Sequence, residues 1–163
     1  MNQFEPAVLT LAQALRGAGL KLATAESCTG GLIAAACTTV AGSSDWFERG
    51  FVTYSNESKT EMLGVAATLI ATQGAVSGEV ARAMANGALT HSRADLAVAV
   101  TGIAGPGGAT PDKPVGTVWL AVAQRGRDTQ AELLQLTGDR ASIRAQTVQR
   151  ALQCLLERFQ SDD

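Results

Sequence analysis

Ser27 is the residue whose neighbours best suit chemistry. It lies in the run Ala25-Glu26-Ser27-Cys28-Thr29-Gly30-Gly31, between a short apolar stretch and an alanine-rich segment. A helix that begins here would leave the backbone N–H groups of residues 28–31 without partners and would carry a partial positive charge. Such a helix start suits a bound anion, or the oxyanion that forms when a serine attacks a carbonyl group. The sequence therefore predicts Ser27 as a nucleophile.

A neutral lysine is the best candidate base for this serine. His91 is the single histidine, and its place at the end of a predicted helix favours a capping or surface role over a Ser-His-Asp triad. Lys59 stands five residues after Tyr54, the single tyrosine, where a predicted strand ends and a helix begins. A lysine with a lowered pKa can activate a serine directly or through a tyrosine. Spacing alone also allows a solvated lysine on a helix face and a half-buried strand aromatic.

Two more segments carry groups that suit an anion. The loop 101–108 follows a nearly all-apolar stretch, and its backbone N–H groups can form an anion-binding nest, although composition alone also fits a flexible connector. It matches neither a P-loop nor a dinucleotide fingerprint. Arg140 begins the last predicted helix and can bind a phosphate through two N–H groups, whereas Asp139 also fits a plain helix N-cap. Glu26 is expected to point away from Ser27 if the strand continues.

The composition limits the class of protein. With 163 residues, 46% hydrophobic and 17% charged, the chain is expected to form one domain over residues 1–163. The net charge is −2 and the ten arginines and three lysines are scattered, so no nucleic-acid partner is expected. Three cysteines without a CxxC pair predict neither a disulfide framework nor a metal site. No apolar run reaches the ~20 residues of a membrane span and no signal peptide is visible, which favours a cytoplasmic protein.

Hydrophobic periodicity predicts strands that alternate with helices and then a late hairpin. The predicted helices cover residues 1–15, 32–40, 57–63 after an Asn56 cap, a possible turn in 68–74, 78–91 after a Ser77 cap, and 140–159. The predicted strands cover residues 21–25, 47–54 and 95–101, with a hairpin of 116–124 and 130–136. This order predicts a three-layer α/β/α sandwich with a mixed sheet.

Six segments, in this order along the chain, resemble the CinA C-terminal domain family. They are Thr24–Gly31, Ala41–Ser44, Phe51–Asn56, Gly74–Ser77, Thr101–Pro106 and Lys113–Val118. The similarity runs from about residue 5 to residue 160, and the length resembles the stand-alone, PncC-type members of the family. Larger members carry an additional N-terminal domain.

The resemblance implies a mixed five-stranded sheet, a homodimer, no metal and no cofactor. It implies hydrolysis of nicotinamide mononucleotide to nicotinic acid mononucleotide and ammonia, with Ser27, Tyr54 and Lys59 as the catalytic residues. The substrate-binding residues that we expect are Glu26, Thr29, Gly30, Gly31, Thr101, Gly102, Gly105 and Arg140. Two alternatives remain open at this point: a non-catalytic module that binds a nucleotide or protein in competence or DNA damage, and an amidase for another small amide.

Overall fold

Five strands form one sheet, and helices cover both of its faces. The computed structural model describes residues 1–160. The strands are β1 (Leu22–Glu26), β2 (Phe47–Val52), β3 (Leu96–Gly102), β4 (Thr117–Gln124) and β5 (Gln130–Gln135). The helices are α1 (Glu5–Ala18), α2 (Leu32–Cys37), α3 (Asn56–Leu63), α4 (Ala67–Gln73), α5 (Gly78–Thr90) and α6 (Arg140–Gln160), with 3₁₀ turns at Asn2–Phe4 and Ser43–Asp45. Within residues 1–160, none of these helices combines the length and apolar character needed to cross a bilayer.

The sheet is mixed, as predicted, with the strand order β2-β1-β3-β4-β5. The central strand β3 and the edge strand β2 both pair in parallel with β1, because helices connect these strands. Strands β3, β4 and β5 pair antiparallel, and the short turn at residues 125–129 closes the predicted hairpin. The carboxyl ends of β1, β2 and β3 therefore meet at one edge of the sheet, where α/β folds usually place their sites.

Side-chain size separates the two faces of the sheet. The large aliphatic residues of the central strands face α1, α2 and α6, and they are Leu22, Leu96, Val98, Val100, Val118, Leu120 and Val122. Alanines at the alternate positions face α3, α4 and α5, and they are Ala23, Ala25, Ala97, Ala99, Ala121 and Ala123. Because successive strand residues point to opposite faces, this alternation produces two cores, one on each side of the sheet. The three-layer arrangement is confirmed.

Some element boundaries differ from the sequence prediction. Helix α2 ends at Cys37 rather than near residue 40, because the hydroxyl groups of Thr38 and Thr39 donate to carbonyls of its last turn. Ser55, not Asn56, caps α3, since its Oγ accepts a hydrogen bond from the Ser58 N–H. Strand β2 ends at residue 52, two residues before the predicted end. The predicted Ser77 cap of α5 is confirmed.

Candidate active site

Ser27 and Lys59 meet at the carboxyl edge of the sheet. Ser27 directly follows β1, and Lys59 lies one turn inside α3, which begins after β2. The Lys59 Nζ atom lies 3.0 Å from the Ser27 Oγ atom, within hydrogen-bond distance. Both residues are buried, with exposed fractions of 8% for Ser27 and 1% for Lys59. The cap at Ser55 fixes where α3 begins and so which helix position faces Ser27.

The surroundings of Lys59 suit an uncharged amine. Its Nζ donates to the backbone oxygens of Thr53 at 2.9 Å and Tyr54 at 3.2 Å. A third carbonyl, that of Ser55, lies 3.5 Å from Nζ, and Nζ is placed as the donor to Ser27 Oγ. A neutral amine would share its two N–H groups among the three carbonyls and direct its lone pair at the Ser27 O–H. Burial lowers the pKa of Lys59 from its ordinary value of 10.5. Within residues 1–160 no carboxylate lies at ion-pair distance from Lys59 to oppose that effect.

The Tyr54 side chain lies at the mouth of the site, away from the Ser27–Lys59 contact. Its exposed fraction is 62%, and its hydroxyl oxygen accepts a hydrogen bond from Arg140 Nη2 at 3.2 Å. Among the described residues, the phenol makes no hydrogen bond to Ser27 or Lys59. Lys59 contacts only the backbone oxygen of Tyr54. The direct path from Ser27 to Lys59 is therefore the one that this geometry offers for a proton.

Arg140 joins Tyr54 to the glycine-rich loop. Its Nη1 donates to the Gly105 oxygen at 2.8 Å, while its Nη2 contacts the tyrosine hydroxyl. Both partners are uncharged, so the positive charge of the guanidinium remains available for an anion. Asp139 is the N-cap that one interpretation of the sequence predicts, because its Oδ1 accepts a hydrogen bond from the Ser142 N–H at 2.8 Å.

Glu26 lies beneath residues 27–31, the loop that contains Ser27, and does not face the pocket. Its side chain points away from Ser27, as the strand alternation predicts. Its carboxylate accepts hydrogen bonds from the backbone N–H groups of Ile33 at 2.9 Å and Ala34 at 3.0 Å, and from the Thr29 hydroxyl. Glu26 is fully buried, and these three bonds occupy its oxygens. Glu26 therefore anchors the first turn of α2, and its expected contact with substrate stays a prediction.

The start of α2 also has fewer free backbone N–H groups than the sequence predicts. Helix α2 begins at Leu32, and Gly30 and Gly31 adopt positive φ values of 59° and 104° that let the chain turn tightly into it. The Gly30 N–H donates to the Ser27 oxygen at 3.1 Å, so the prediction that all N–H groups of residues 28–31 lack partners is wrong at Gly30. Sequence reasoning missed Arg144, whose guanidinium binds the Cys28 and Thr29 carbonyls from α6.

A pocket of about 240 Å³ opens above Ser27. Its lining contains six of the expected residues, namely Ser27, Tyr54, Lys59, Thr101, Gly102 and Arg140, and five others, namely Cys28, Asn56, Ala75, Val76 and Ala104. The expected residues outside the lining are Glu26, Thr29, Gly30, Gly31 and Gly105. The Thr101 hydroxyl donates to the Ala75 oxygen at 2.9 Å and so fixes one wall. Ala75 and Val76 lie in the segment Gly74–Ser77 that carries the family resemblance, but their residue types gave no sign that they would line the pocket.

Cys28 is the other nucleophilic side chain of this pocket. Burial is the main cause that raises the pKa of its thiol to about 11. The thiolate is the reactive form of cysteine, and it is scarce at neutral pH when the pKa is this high. Ser27, which has the lysine amine beside it, is therefore the better candidate for a nucleophile.

A larger cavity of about 350 Å³ lies between β5 and α6, and it shares no lining residue with the pocket above Ser27. Its principal charged pair is Arg150 and Glu132, whose atoms lie 2.8 Å apart. The same carboxylate accepts a hydrogen bond from the Cys154 thiol. Because these groups bond to one another, they are less available to bind or react with a ligand than the groups of the smaller pocket above Ser27.

Comparison with known proteins identifies the family of this chain. Residues 5–159 match the family model of the CinA C-terminal domain. The chain belongs to the CinA C-terminal domain family. It is 51% identical over 147 residues to the nicotinamide-nucleotide amidohydrolase PncC of Escherichia coli K12, covering 90% of this chain and 89% of that protein.

Other members of the CinA family are similar over the same region. A CinA-like protein of Akkermansia muciniphila is 59% identical over 138 residues, which are 85% of this chain and 33% of that protein. The chain thus spans about a third of the length of such relatives. The crystal structure of a competence/damage inducible protein of Agrobacterium tumefaciens has a TM-score of 0.92 and 48% identity, covering 94% of each chain.

Proposed function

We propose that this chain hydrolyses the carboxamide of nicotinamide mononucleotide to give nicotinic acid mononucleotide and ammonia. The observation that carries the proposal is the 3.0 Å contact between Ser27 Oγ and the buried Lys59 Nζ. The similarity to the E. coli amidohydrolase, which extends over 90% of the chain, supports the reaction and the substrate. The role of the reaction would be the salvage of pyridine nucleotides.

The first half of the reaction uses Ser27 as the nucleophile. Lys59 accepts the Ser27 proton while Oγ bonds to the carboxamide carbon, and the carbonyl oxygen becomes an oxyanion. Backbone N–H donors at such a position typically stabilise the transition state by about 3 kcal/mol each. The C–N bond then breaks as the Lys59 ammonium returns its proton to the departing nitrogen, which leaves as ammonia.

The second half hydrolyses the ester formed with Ser27. Lys59, again neutral, accepts a proton from a water molecule whose oxygen attacks the acyl carbon. The bond to Oγ breaks, Ser27 regains a proton from Lys59, and the new carboxylic acid releases its remaining proton to solvent and leaves as a carboxylate. Tyr54 lies at the mouth of the pocket. It would relay a proton between Ser27 and Lys59 only after its hydroxyl broke the hydrogen bond with Arg140 and turned toward them.

Arg140 is the residue that we propose to bind the substrate phosphate. Its guanidinium has a carbonyl and a phenol as partners and keeps its net charge, which suits a phosphate oxygen. Thr101, Gly102 and the small side chains of the lining leave room for a flat ring between Arg140 and Ser27. The substrate-binding roles of Thr29, Gly30, Gly31 and Gly105 remain predictions, and they would act through their backbone.

Two wider properties are proposals as well. We propose one CinA domain over residues 1–163, supported by the family match over residues 5–159.

We also propose a cytoplasmic homodimer. The free thiols of Cys28, Cys37 and Cys154 suit a reducing compartment, and Val52 and Tyr54 expose apolar surface beside the site. Light scattering of the purified protein would measure the mass in solution, and a monomeric mass would contradict the dimer.

Ammonia release from nicotinamide mononucleotide tests the proposed function. We expect the wild type to release ammonia and Ser27→Ala to lose this activity while it stays folded. Ser44→Ala is a matched control, because Ser44 is exposed in the 3₁₀ turn before β2, at the amino end of β1. Calorimetric binding of the nucleotide by a wild type that releases no ammonia would favour a non-catalytic module. Equal turnover of free nicotinamide would favour an amidase for small amides.

A further inference from the structure

Asn56 lies in the lining of the pocket above Ser27, and the reaction described above does not use it. The sequence predicts Asn56 as the cap of α3, but Ser55 provides that cap. The Asn56 side chain makes no hydrogen bond to any group of residues 1–160. Asn56 is also exposed, so a ligand in the pocket can reach it. Its side-chain amide is therefore available to bind that ligand.

Asn56 lies beside the two reacting side chains. Lys59 is three positions further along α3, so both residues are on one face of the helix. The Lys59 side chain runs back toward the start of α3, where its Nζ contacts the backbone oxygens of residues 53–55. The Ser55 oxygen and the Asn56 N–H belong to the same peptide unit. The contact between Lys59 Nζ and Ser27 Oγ therefore lies next to Asn56.

The chemistry of the Asn56 side chain matches a primary carboxamide. Of the lining residues, which all fall within 1–160, Asn56 alone has a side chain with both an uncharged NH2 donor and a carbonyl acceptor. A primary carboxamide has the same two groups, so two such amides can form two hydrogen bonds with each other. A phosphate has only acceptors and suits the charged Arg140 better. The Asn56 amide thus fits the reacting end of the proposed substrate.

We propose that Asn56 is a specificity-determining residue that binds the substrate carboxamide. This inference rests on the proposed amidohydrolase function. The Asn56 Oδ1 atom accepts a hydrogen bond from the carboxamide NH2, and Nδ2 donates to the carbonyl oxygen that becomes the oxyanion. Both hydrogen bonds lie in the plane of the carboxamide. The faces of the carboxamide carbon therefore stay open to attack by Ser27 Oγ.

The same contact disfavours the product. Hydrolysis replaces the NH2 group by a carboxylate oxygen, which is an acceptor only. That oxygen would face the Asn56 Oδ1, which is also an acceptor, and the two oxygens would repel each other. A site built for a hydrogen-bond donor discriminates against a ligand that lacks the donor. Asn56 therefore favours the amide over the acid and assists release of the product.

Binding to a protein that cannot turn over measures this preference. Calorimetry with Ser27→Ala gives the affinities for nicotinamide mononucleotide and nicotinic acid mononucleotide, which share their ribose and phosphate. Leucine is similar to asparagine in size and has no polar side-chain atom. We expect the addition of Asn56→Leu to weaken binding of the amide about tenfold, as for two lost uncharged hydrogen bonds, and of the acid less than about threefold.

Asn56→Asp changes the preference in the opposite direction. The new carboxylate still accepts from the carboxamide NH2, but its charge repels the product carboxylate more than the neutral amide. We expect this variant to weaken the acid about tenfold more than the amide. A lost ribose contact or a loosened pocket would instead change both affinities equally. Asn86→Leu is the matched control, because Asn86 is also exposed on a helix but lies outside the lining.

The two hypotheses fail in different ways. A wild type that releases no ammonia contradicts the proposed function, and the ratio of the two affinities in Ser27→Ala still decides the role of Asn56. A ratio that Asn56→Leu leaves unchanged overturns that role, even when ammonia release is normal. A Ser27→Ala protein that binds neither nucleotide also overturns it. If Asn56→Leu does not fold, Asn56→Asp decides alone, and an unchanged ratio overturns the inference.

Discussion

Replacement of Lys59 by methionine tests the proton acceptor directly. Methionine keeps an unbranched side chain of similar length and removes the lone pair that lies 3.0 Å from Ser27 Oγ. General-base catalysis typically contributes 10²–10⁴-fold, so we expect kcat to fall about 10³-fold, equivalent to about 4 kcal/mol in the activation barrier. The substitution also removes the donor to the backbone carbonyls of Thr53 and Tyr54, but the proposed reaction does not use either carbonyl.

The pH dependence of kcat/KM and of the free energy of unfolding provides a second test of Lys59→Met. Because burial lowers the pKa of Lys59 below 10.5, the neutral amine that accepts the proton forms as pH rises through that lowered value. We therefore expect the kcat/KM of the wild type to rise with pH across it. Between the lowered pKa and 10.5 the folded protein binds fewer protons than the unfolded chain, so the free energy of unfolding also rises with pH. Lys59→Met removes both rises.

The assay measures ammonia release and urea unfolding for wild type and variant across the neutral and alkaline pH range. Lys21→Met is the control, because Lys21 is exposed just before β1 and, among residues 1–160, its Nζ donates to the Asp45 backbone oxygen alone. A Lys59→Met protein within tenfold of wild-type kcat, or one that keeps the alkaline rise in kcat/KM, would refute the assignment of Lys59 as the base.

Three further substitutions have distinct expected outcomes. Tyr54→Phe removes only the hydroxyl that contacts Arg140, so we expect kcat to fall less than about tenfold, well below the range for loss of a proton-transfer group; a loss equal to that of Lys59→Met would place the phenol on the proton path. Arg140→Met should raise KM for nicotinamide mononucleotide about 10–100-fold, as expected for a lost charged hydrogen bond, and should leave KM for the phosphate-free riboside nearly unchanged; equal effects on both would remove phosphate binding from Arg140. Glu26→Gln leaves one donor at α2 without its acceptor and should lower the free energy of unfolding in urea by about 1–3 kcal/mol; an unchanged midpoint would contradict the anchoring role.

The sheet and most helices follow from local patterns, and this is why the sequence predicts them. The apolar stretch at residues 95–101 and the hairpin signal at residues 125–129 each act within a few residues. Helix α4 is more difficult to predict, because its N-cap Ala66 makes no side-chain capping bond. Its buried Ile70 packs into the core between the sheet and α3–α5, and that contact is invisible in the local sequence.

The candidate site is only partly predictable for the same reason. The types and positions of Ser27, Tyr54 and Lys59 predicted them as catalytic residues, and the strand order brings Ser27 and Lys59 together. Glu26 carries no local sign that α2 will use its carboxylate as a cap. Arg144 acts across more than 110 positions of the chain, so nothing near Ser27 in the sequence indicates it.

Covalent labelling of the nucleophile tests the central claim most directly. The wild type would be mixed with nicotinamide mononucleotide that carries an isotope in its carboxamide carbon, quenched in acid during turnover, and mapped by peptide fragmentation that separates Ser27 from Cys28. We predict that the label forms an ester on Ser27 and is absent from Ser27→Ala. Product formation with no label on Ser27 during turnover, or label on Cys28, would contradict the account.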